Sequence, residues 1–451
     1  MPSSLATIVY LVLIIVLFRL DRDSTSRVSS ALWLPVIWLS IGASRMVSQW
    51  LPSESQILMV SPDQYQDGSP VDRAIFICLL AVGLMVLVVR GQRSGTVLWS
   101  NGPILAFFLY GAVSALWSDF PEVAFKRWVK FLGNFVMVLI VLTDPNPSAA
   151  VKRLLVRTGF ILIPLSVLFI KYYPELGRSY DQFTYKPFFS GVAVSKNSLG
   201  IICLILGLGS VWRFLEAYRS AERPRLSGPL VAHGVILIMV LWLFSMANSS
   251  TSLACFLVGS GLLLLTSLRR APLTPMTLNI LFVAVVSLAF FGLFIDANAG
   301  LVEALGRDAT LSTRTDLWAE LLQMNSDPLI GAGFESFWLG KRAKMLWQQH
   351  WWHPNQAHNG YLELFLNEGW IGLVLLGFLM TWGYRNVVHS LNRDSILGGL
   401  KVSFFIITVL YNLTEATFKA IHPVWIIFLL AVTVVPDSKE QENNVGIQRL
   451  Q

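Results

Sequence analysis

Apolar runs of roughly 16 to 22 residues recur along the whole chain, and each is long enough to cross a bilayer as a helix. They fall at 5–20, 31–49, 74–90, 101–116, 128–143, 154–172, 197–213, 229–247, 251–268, 277–295, 360–382, 397–412 and 421–436. The pattern predicts an all-α polytopic membrane protein with about 12 or 13 transmembrane helices. Residues 1–451 read as a single transmembrane domain. The first run lacks a basic leader and a small-residue cleavage site, so it reads as a retained helix and not a signal peptide. The polar segment 437–451 reads as a disordered cytoplasmic tail.

Between the runs, one alternating set of short loops carries the basic residues. Arg22, Arg27, Arg90, Arg93, Lys152, Arg153, Arg213, Arg219, Arg223, Arg225, Arg269, Arg270, Arg385 and Arg393 all belong to it. The positive-inside bias makes that side cytoplasmic. The segments 50–73, 117–127, 173–196, 248–250, 296–358 and 413–420 then face outwards, with 296–358 as one long periplasmic loop holding short helices. An odd number of spans puts the amino terminus outside; if the first run does not cross fully, both ends lie inside.

Composition agrees with this picture. Of the 451 residues, 54% are hydrophobic and 14% charged, against about 25% charged in soluble chains. The net charge of +7 would favour nucleic acid in a soluble protein. Here the basic residues are spread over loops, so orientation and an anionic lipid or substrate explain them better, and no nucleic-acid partner is expected. Cys78, Cys203 and Cys255 all lie in apolar runs and read as small core residues. No repeat and no G-x-x-x-x-G-K-[ST] motif occurs, which argues against an ATP-driven transporter.

One polar stretch, 306–372, stands apart. It opens Gly306-Arg307-Asp308-Ala309-Thr310-Leu311 and passes through Pro328-Leu329-Ile330-Gly331-Ala332-Gly333. It closes with His358-Asn359-Gly360-Tyr361-Leu362-Glu363 and Asn367-Glu368-Gly369-Trp370. The outward segments should be poor in Lys and Arg, yet they carry Lys126, Arg127, Lys130, Lys171, Arg178, Lys186, Lys196, Arg307, Arg314, Lys341, Arg342 and Lys344. Each alone is explained by solvent or headgroups; together they suggest an anionic ligand such as a phosphate-bearing lipid. Ser312 or Thr313 is a good N-cap, with Asp316 completing a pattern like a capping box, and the helix should stop at Asn325-Ser326-Asp327-Pro328. Arg314 then falls in the first turn, either paired locally with Asp316 or facing a phosphate together with the free N–H groups.

His358 sits where this stretch re-enters an apolar run. An unperturbed histidine, with a pKa of about 6.5, suits a general base there; a loop hydrogen bond explains it equally well. The spacing His350-x-x-His353-x-x-x-x-His358 matches no zinc pattern, and no metal is expected. Trp338, Trp347, Trp351 and Trp352 fit an interfacial belt or stacking on sugars. Ser195-Lys196-Asn197 places a cation and an amide at another outward mouth, Ser249-Ser250-Thr251-Ser252 a hydroxyl cluster at a third, and Glu415 an acid in the last outward turn. Glu415 is placed to pair with one of these cations, to orient His358, or to be solvated.

Taken together these residues resemble the bacterial O-antigen ligase/polymerase superfamily. The likeness lies in Trp117-Ser118-Asp119-Phe120-Pro121-Glu122 with Arg127, in Ser195-Lys196-Asn197, and in Arg314, Trp318, Pro328, Gly331, Gly333, His358, Asn359, Tyr361 and Gly369. The segment 306–311 leading into Arg314-Thr315 looks most like the exopolysaccharide, succinoglycan-type polymerases. The resemblance implies a GT-C-like glycosyltransferase of the bacterial inner membrane with its active site facing the periplasm. It implies an undecaprenyl-diphosphate-linked oligosaccharide as donor and no cofactor. The acceptor glycan is another lipid-linked repeat unit for a polymerase, or lipid A core for a ligase, with polysaccharide export proteins as further partners. The ligases tend to carry an arginine where this chain begins Ser249-Ser250-Thr251-Ser252-Leu253, and that departure weighs against a ligase. In this frame His358 is the base. Arg314, with Lys196 or Arg127, meets the diphosphate, and Asn197, Tyr361, Glu415 and Trp318 support the site or hold the acceptor. A polysaccharide or lipid transporter ranks lower, because the charges gather at helix mouths instead of within spans.

Overall fold

The computed structural model describes residues 1–22, 27–51, 68–180, 185–220, 227–268, 276–277, 279–280, 282–284, 287, 310–325 and 327–436. Most of the expected span at 277–295, the opening of the polar stretch at 306–309 and the tail at 437–451 lie outside the described residues.

The apolar runs form helices: α1 (Ser3–Leu20), α2 (Trp33–Ala43), α3 (Pro70–Val89), α4 (Gln92–Trp99), α5 (Gly102–Ser114), α6 (Pro121–Leu142) and α7 (Pro147–Tyr172). After a two-stranded ribbon, β1 (Arg178–Tyr180) with β2 (Pro187–Phe189), come α8 (Lys196–Ser220), α9 (Gly228–Ala247) and α10 (Ser250–Leu268). The polar stretch supplies α11 (Thr310–Gln323) and α12 (Gly340–Gln349), and the chain returns through α13 (Gly360–Arg393), α14 (Ser395–Tyr411) and α15 (Pro423–Val432). Seven described helices are long and apolar enough to cross a membrane, or eight if a bent pair forms one span. The protein is an all-α, multi-pass membrane protein. Three of the expected spans are present as shorter apolar helices, Ser30–Ala43, Ser395–Tyr411 and Pro423–Val432.

Burial sorts these helices into a centre and a margin. Every residue of α15 is buried, as are most of α14 and the second half of α6. A helix apolar on all sides belongs in such a position. Phe131 of α6 stacks on Trp425 of α15 with centroids 5.5 Å apart, and Phe334 from the polar stretch joins them at 5.3 Å from Phe131. By contrast α1 buries only Ala6 and Leu17, so its apolar face is left for lipid. Around the centre, α8 packs on α7, α9 and α10, and α14 packs on α10, α13 and α15.

The segment expected as a loop at 91–100 is largely helical, and α4 meets the following helix at 83°. The corner is set by Asn101-Gly102-Pro103, because Pro103 suits a helix start and cannot continue one. Asn101 locks the corner: its Nδ2 donates to the Val434 carbonyl at 2.9 Å and its Oδ1 accepts from Val434 N at 2.8 Å.

A second break shapes the site. Helix α13 is interrupted at Gly369, whose φ of 64° and ψ of −163° suit glycine alone. Such a break orphans the carbonyls of residues 366 and 367 and the N–H groups of residues 370 and 371. Pro328-Leu329-Ile330-Gly331-Ala332-Gly333 satisfies all four. Ala332 N donates to Leu366 O at 3.0 Å and Gly333 N to Asn367 O at 2.8 Å; Trp370 N donates to Pro328 O at 2.9 Å and Ile371 N to Leu329 O at 3.2 Å. The glycines permit this approach. A Cβ on Gly331 would lie 2.5 Å from the Asn367 carbonyl carbon, and one on Gly369 would lie 2.3 Å from Leu329 O. The Gly369→Ala protein is therefore expected to lose about 1–3 kcal/mol or more of stability, read as a lower midpoint of thermal unfolding in detergent; an unchanged midpoint would refute this account of the break.

Candidate active site

The polar stretch carries a small apolar core of its own. Leu317 and Leu321 of α11, Leu346 of α12, and Phe337, Trp338, Ala357 and Leu366 are buried together. This core seats α11 and α12 over the start of α13. Trp338 and Glu363 extend it with polar contacts: Trp338 Nε1 donates to Glu363 Oε1 at 2.7 Å, and Ala357 N donates to Glu363 Oε2 at 2.8 Å. The Glu363 carboxylate thus fixes residue 357. Asn359 fixes the other side as the N-cap of α13, its Oδ1 accepting from Tyr361 N at 3.0 Å and Leu362 N at 3.1 Å.

His358 lies between these two anchors with a φ of +50°. Side chains visit that left-handed region rarely, histidine somewhat more readily than most. The flanking anchors hold the conformation and aim the imidazole out of the helix mouth. Its Nδ1 is 3.1 Å from Glu415 Oε2, in the turn after α14. Glu415 Oε1 in turn accepts from Asn197 Nδ2, at the start of α8, at 3.1 Å. The Gln356 amide nitrogen also approaches Nδ1, at 3.4 Å; the charged carboxylate is the stronger and nearer partner and holds the N–H on Nδ1. The lone pair then resides on Nε2, which the histidine's 35% side-chain exposure leaves reachable, while Glu415 is only 14% exposed.

Arg314 of α11 donates from Nη1 to the Thr414 carbonyl at 3.1 Å, one residue before Glu415. That is its single hydrogen bond among the described residues, and it brings the guanidinium to the same turn. The expected N-cap at Ser312 or Thr313 is corrected. Helix α11 is already formed at Thr310, so Arg314 lies one turn further in. Differences in helix propensity among these residues are below about 0.7 kcal/mol each, too small to stop a helix at 312.

Of the other expected residues, Trp318 Nε1 donates to the Ala357 carbonyl at 2.7 Å, and the Tyr361 hydroxyl donates to the Val409 carbonyl at 3.0 Å. The first braces the backbone next to His358, and the second ties the start of α13 to α14. Lys196 is exposed at the first residue of α8, beside Asn197, and makes no ion pair among the described residues. Arg127 of α6 donates to the Glu335 carbonyl, while the Glu335 carboxylate accepts from Ala420 N at 3.0 Å.

The excess of outward cations resolves into local partners for several of them. Lys126 pairs with Glu122 on its own helix, and Arg342 pairs with Asp119 at 2.8 Å. Lys171 lies over the Trp242 ring at 4.9 Å, and Arg178 donates to the Ile170 carbonyl at 3.2 Å. The three histidines also turn to different partners. His350 Nε2 is 2.6 Å from Glu320 Oε2, and His353 stacks on Trp347 with centroids 4.7 Å apart.

Sequence reasoning passes over Lys419 and Glu363. Lys419 Nζ donates to Gln356 Oε1 at 3.1 Å and stands 3.8 Å from Glu363 Oε1, so it is a cation that bonds the residue two positions before His358. Its only signal is membership of the same turn as Glu415. For Glu363 the signal is stronger: an acid three residues past the start of an apolar run is costly without a purpose. The carboxylate–imidazole pair carries a direct expectation. Glu415→Gln keeps the hydrogen-bonding shape but lets the amide choose the wrong tautomer, so turnover should fall by about tenfold or more as part of the ~10²–10⁴ a positioned base supplies; wild-type turnover with purified variant and donor would exclude this role.

Residues 234–377 match the O-antigen ligase family. The match runs from α9 through the first half of α13, and so includes Arg314, Trp318, His358 and Tyr361. Over 305 residues the chain is 25% identical to an exopolysaccharide production protein, ExoQ, of Rhizobium meliloti strain 1021. That alignment covers 64% of this chain and 66% of the relative, just under two thirds of its length. The resemblance read from Arg314, His358 and their neighbours is borne out by both findings.

Proposed function

We propose that the protein is a membrane glycosyltransferase that polymerises undecaprenyl-diphosphate-linked oligosaccharide units into exopolysaccharide at the periplasmic face of the inner membrane. The observation that carries this is the His358–Glu415–Asn197 chain with Arg314 bonded one residue before Glu415. Likeness to an exopolysaccharide production protein supports the polymer as product.

In this reaction the acceptor hydroxyl attacks the anomeric carbon of the donor sugar. Its proton passes to Nε2 of His358, and Glu415 stabilises the imidazolium that forms. The bond from the anomeric carbon to the lipid diphosphate breaks, and the diphosphate leaves with both electrons. Such a leaving group needs charge stabilisation more than a proton, which Arg314 supplies together with Lys196 or the Lys419 amine. One displacement inverts the anomeric configuration. The carboxylates around His358 are already committed to protein donors: Glu415 to Asn197 and His358, Glu363 to Trp338 and Ala357. This favours a metal-independent route.

The O-antigen ligase description of the matching family favours a second reading, transfer of finished glycan to lipid A core. Deleting the gene and analysing the lipid-linked and surface glycan separates them. Accumulated single repeat units without polymer are expected. Full-length glycan stranded on undecaprenyl diphosphate would establish the ligase instead.

A further inference from the structure

At the end of the bundle opposite His358, a cavity of 370 Å³ opens among α1, the start of α2 and α7. The placement follows from α8, which begins beside Glu415 and whose far end reaches Lys152 of α7 through Glu216 at 2.6 Å. Phe18, Asp21, Trp33, Arg153, Val156 and Arg157 line the cavity. Arg153 and Arg157 are four residues apart on α7, so two like charges share one helix face. Arg157 stacks over Trp33, its guanidinium carbon 4.5 Å from the ring centre. Its Nη1 is nevertheless buried with no hydrogen-bond partner among the described residues. A buried, unpaired donor on a charged group is costly, and native structures normally give it a partner.

Asp21, the acid in the lining, is already engaged. Arg213 Nε donates to its Oδ1 at 3.0 Å, and His233 Nε2 lies 3.6 Å away. The cavity therefore presents the unpartnered Arg157 Nη1 against apolar walls. It also adjoins α1, where Leu5, Ile8, Val9, Leu11, Val12, Ile15 and Val16 are exposed. A soluble anion would need no such walls; a lipid headgroup would have its acyl chains run along α1.

We propose that this cavity binds the phosphate of an anionic membrane phospholipid, with Arg157 Nη1 as the donor that meets it and Trp33, 45% exposed, packing against the glycerol and upper acyl chain. If His358 faces the periplasm, the bound lipid belongs to the cytoplasmic leaflet. The proposal is independent of the glycosyl-transfer chemistry.

The test uses the full chain, stripped of lipid in detergent and titrated with phosphatidylglycerol or phosphatidylcholine, with bound lipid counted by native mass spectrometry. Wild-type protein should hold one phosphatidylglycerol in preference to phosphatidylcholine, and Arg157→Gln should lower that preference by about fivefold. Arg157→Lys, which keeps the charge, should retain part of it. Equal retention of the two lipids by wild type, or an unchanged preference in Arg157→Gln, overturns the proposal. If Arg157→Gln does not fold, the thermal midpoint of wild type decides. A rise with phosphatidylglycerol exceeding that with phosphatidylcholine or with inorganic phosphate supports the lipid site. An equal rise with inorganic phosphate overturns it in favour of a soluble anion.

Discussion

Replacing His358 with Asn is expected to abolish polymer formation while leaving a folded, membrane-inserted protein. Asn is the informative choice because residue 358 has a φ of +50°, and Asn tolerates that region better than Ala does. His358→Ala adds a backbone cost of about 1 kcal/mol to the loss of the base. Neither side chain can accept the acceptor's proton, so both variants should lose on the order of 10²–10⁴ in turnover. Glu415 keeps its bond from Asn197 in both, which limits the penalty of leaving the carboxylate without the imidazole. The measurement is polymer made from purified lipid-linked donor, alongside the size-exclusion profile and thermal midpoint. Wild-type polymer from a monodisperse His358→Asn protein would remove the base from the mechanism.

The legibility of this chain differs by feature, for physical reasons. The membrane class is legible because bilayer thickness imposes a length on each apolar run, and length survives any uncertainty in boundaries. Bends are less so. Asn101 turns the chain by bonding to Val434, more than three hundred positions away, and no local pattern records such a partner. The Pro-Leu-Ile-Gly-Ala-Gly segment and Gly369 are each visible as punctuation. That one repairs the break in the other follows only from the four hydrogen bonds between them.

At the site, residue types with one chemical use were easier to find than residues with several. His358 at a helix mouth and Glu415 in the last turn stand out in sequence, and the structure brings them to 3.1 Å. Lysine and arginine satisfy solvent, carbonyls, rings and acids alike. Among the outward cations, Lys126, Lys171, Arg178 and Arg342 each have a local partner, which their residue type does not reveal. Arg127, grouped with Arg314 on sequence order, grips the Glu335 carbonyl. Lys419, which sequence order did not single out, bonds Gln356 Oε1 and stands 3.8 Å from Glu363 Oε1.

Arg314→Lys should separate a charge that acts on the diphosphate from a strut that merely holds the turn. Among the described residues the guanidinium makes one bond, from Nη1 to the Thr414 carbonyl, and a lysine ammonium can donate one such bond as well. A strut would therefore survive the exchange with its turnover intact. A planar fork that bonds the carbonyl with one arm and a phosphate oxygen with the other would not, because an ammonium has no second fixed arm. Charge on the leaving diphosphate grows as the sugar–phosphate bond breaks, so the loss should fall on kcat more than on KM. Removing the group altogether, in Arg314→Ala, should cost about 10²–10³ in kcat, the usual range for one preorganised donor to a developing anion. Arg314→Lys should lie between that value and wild type, with donor binding only weakened. The kinetics need purified protein in detergent or nanodiscs and a short-chain polyprenyl-diphosphate donor. Full kcat in Arg314→Lys combined with a folding defect in Arg314→Ala would assign Arg314 to structure and move the diphosphate contact to Lys196 or Lys419.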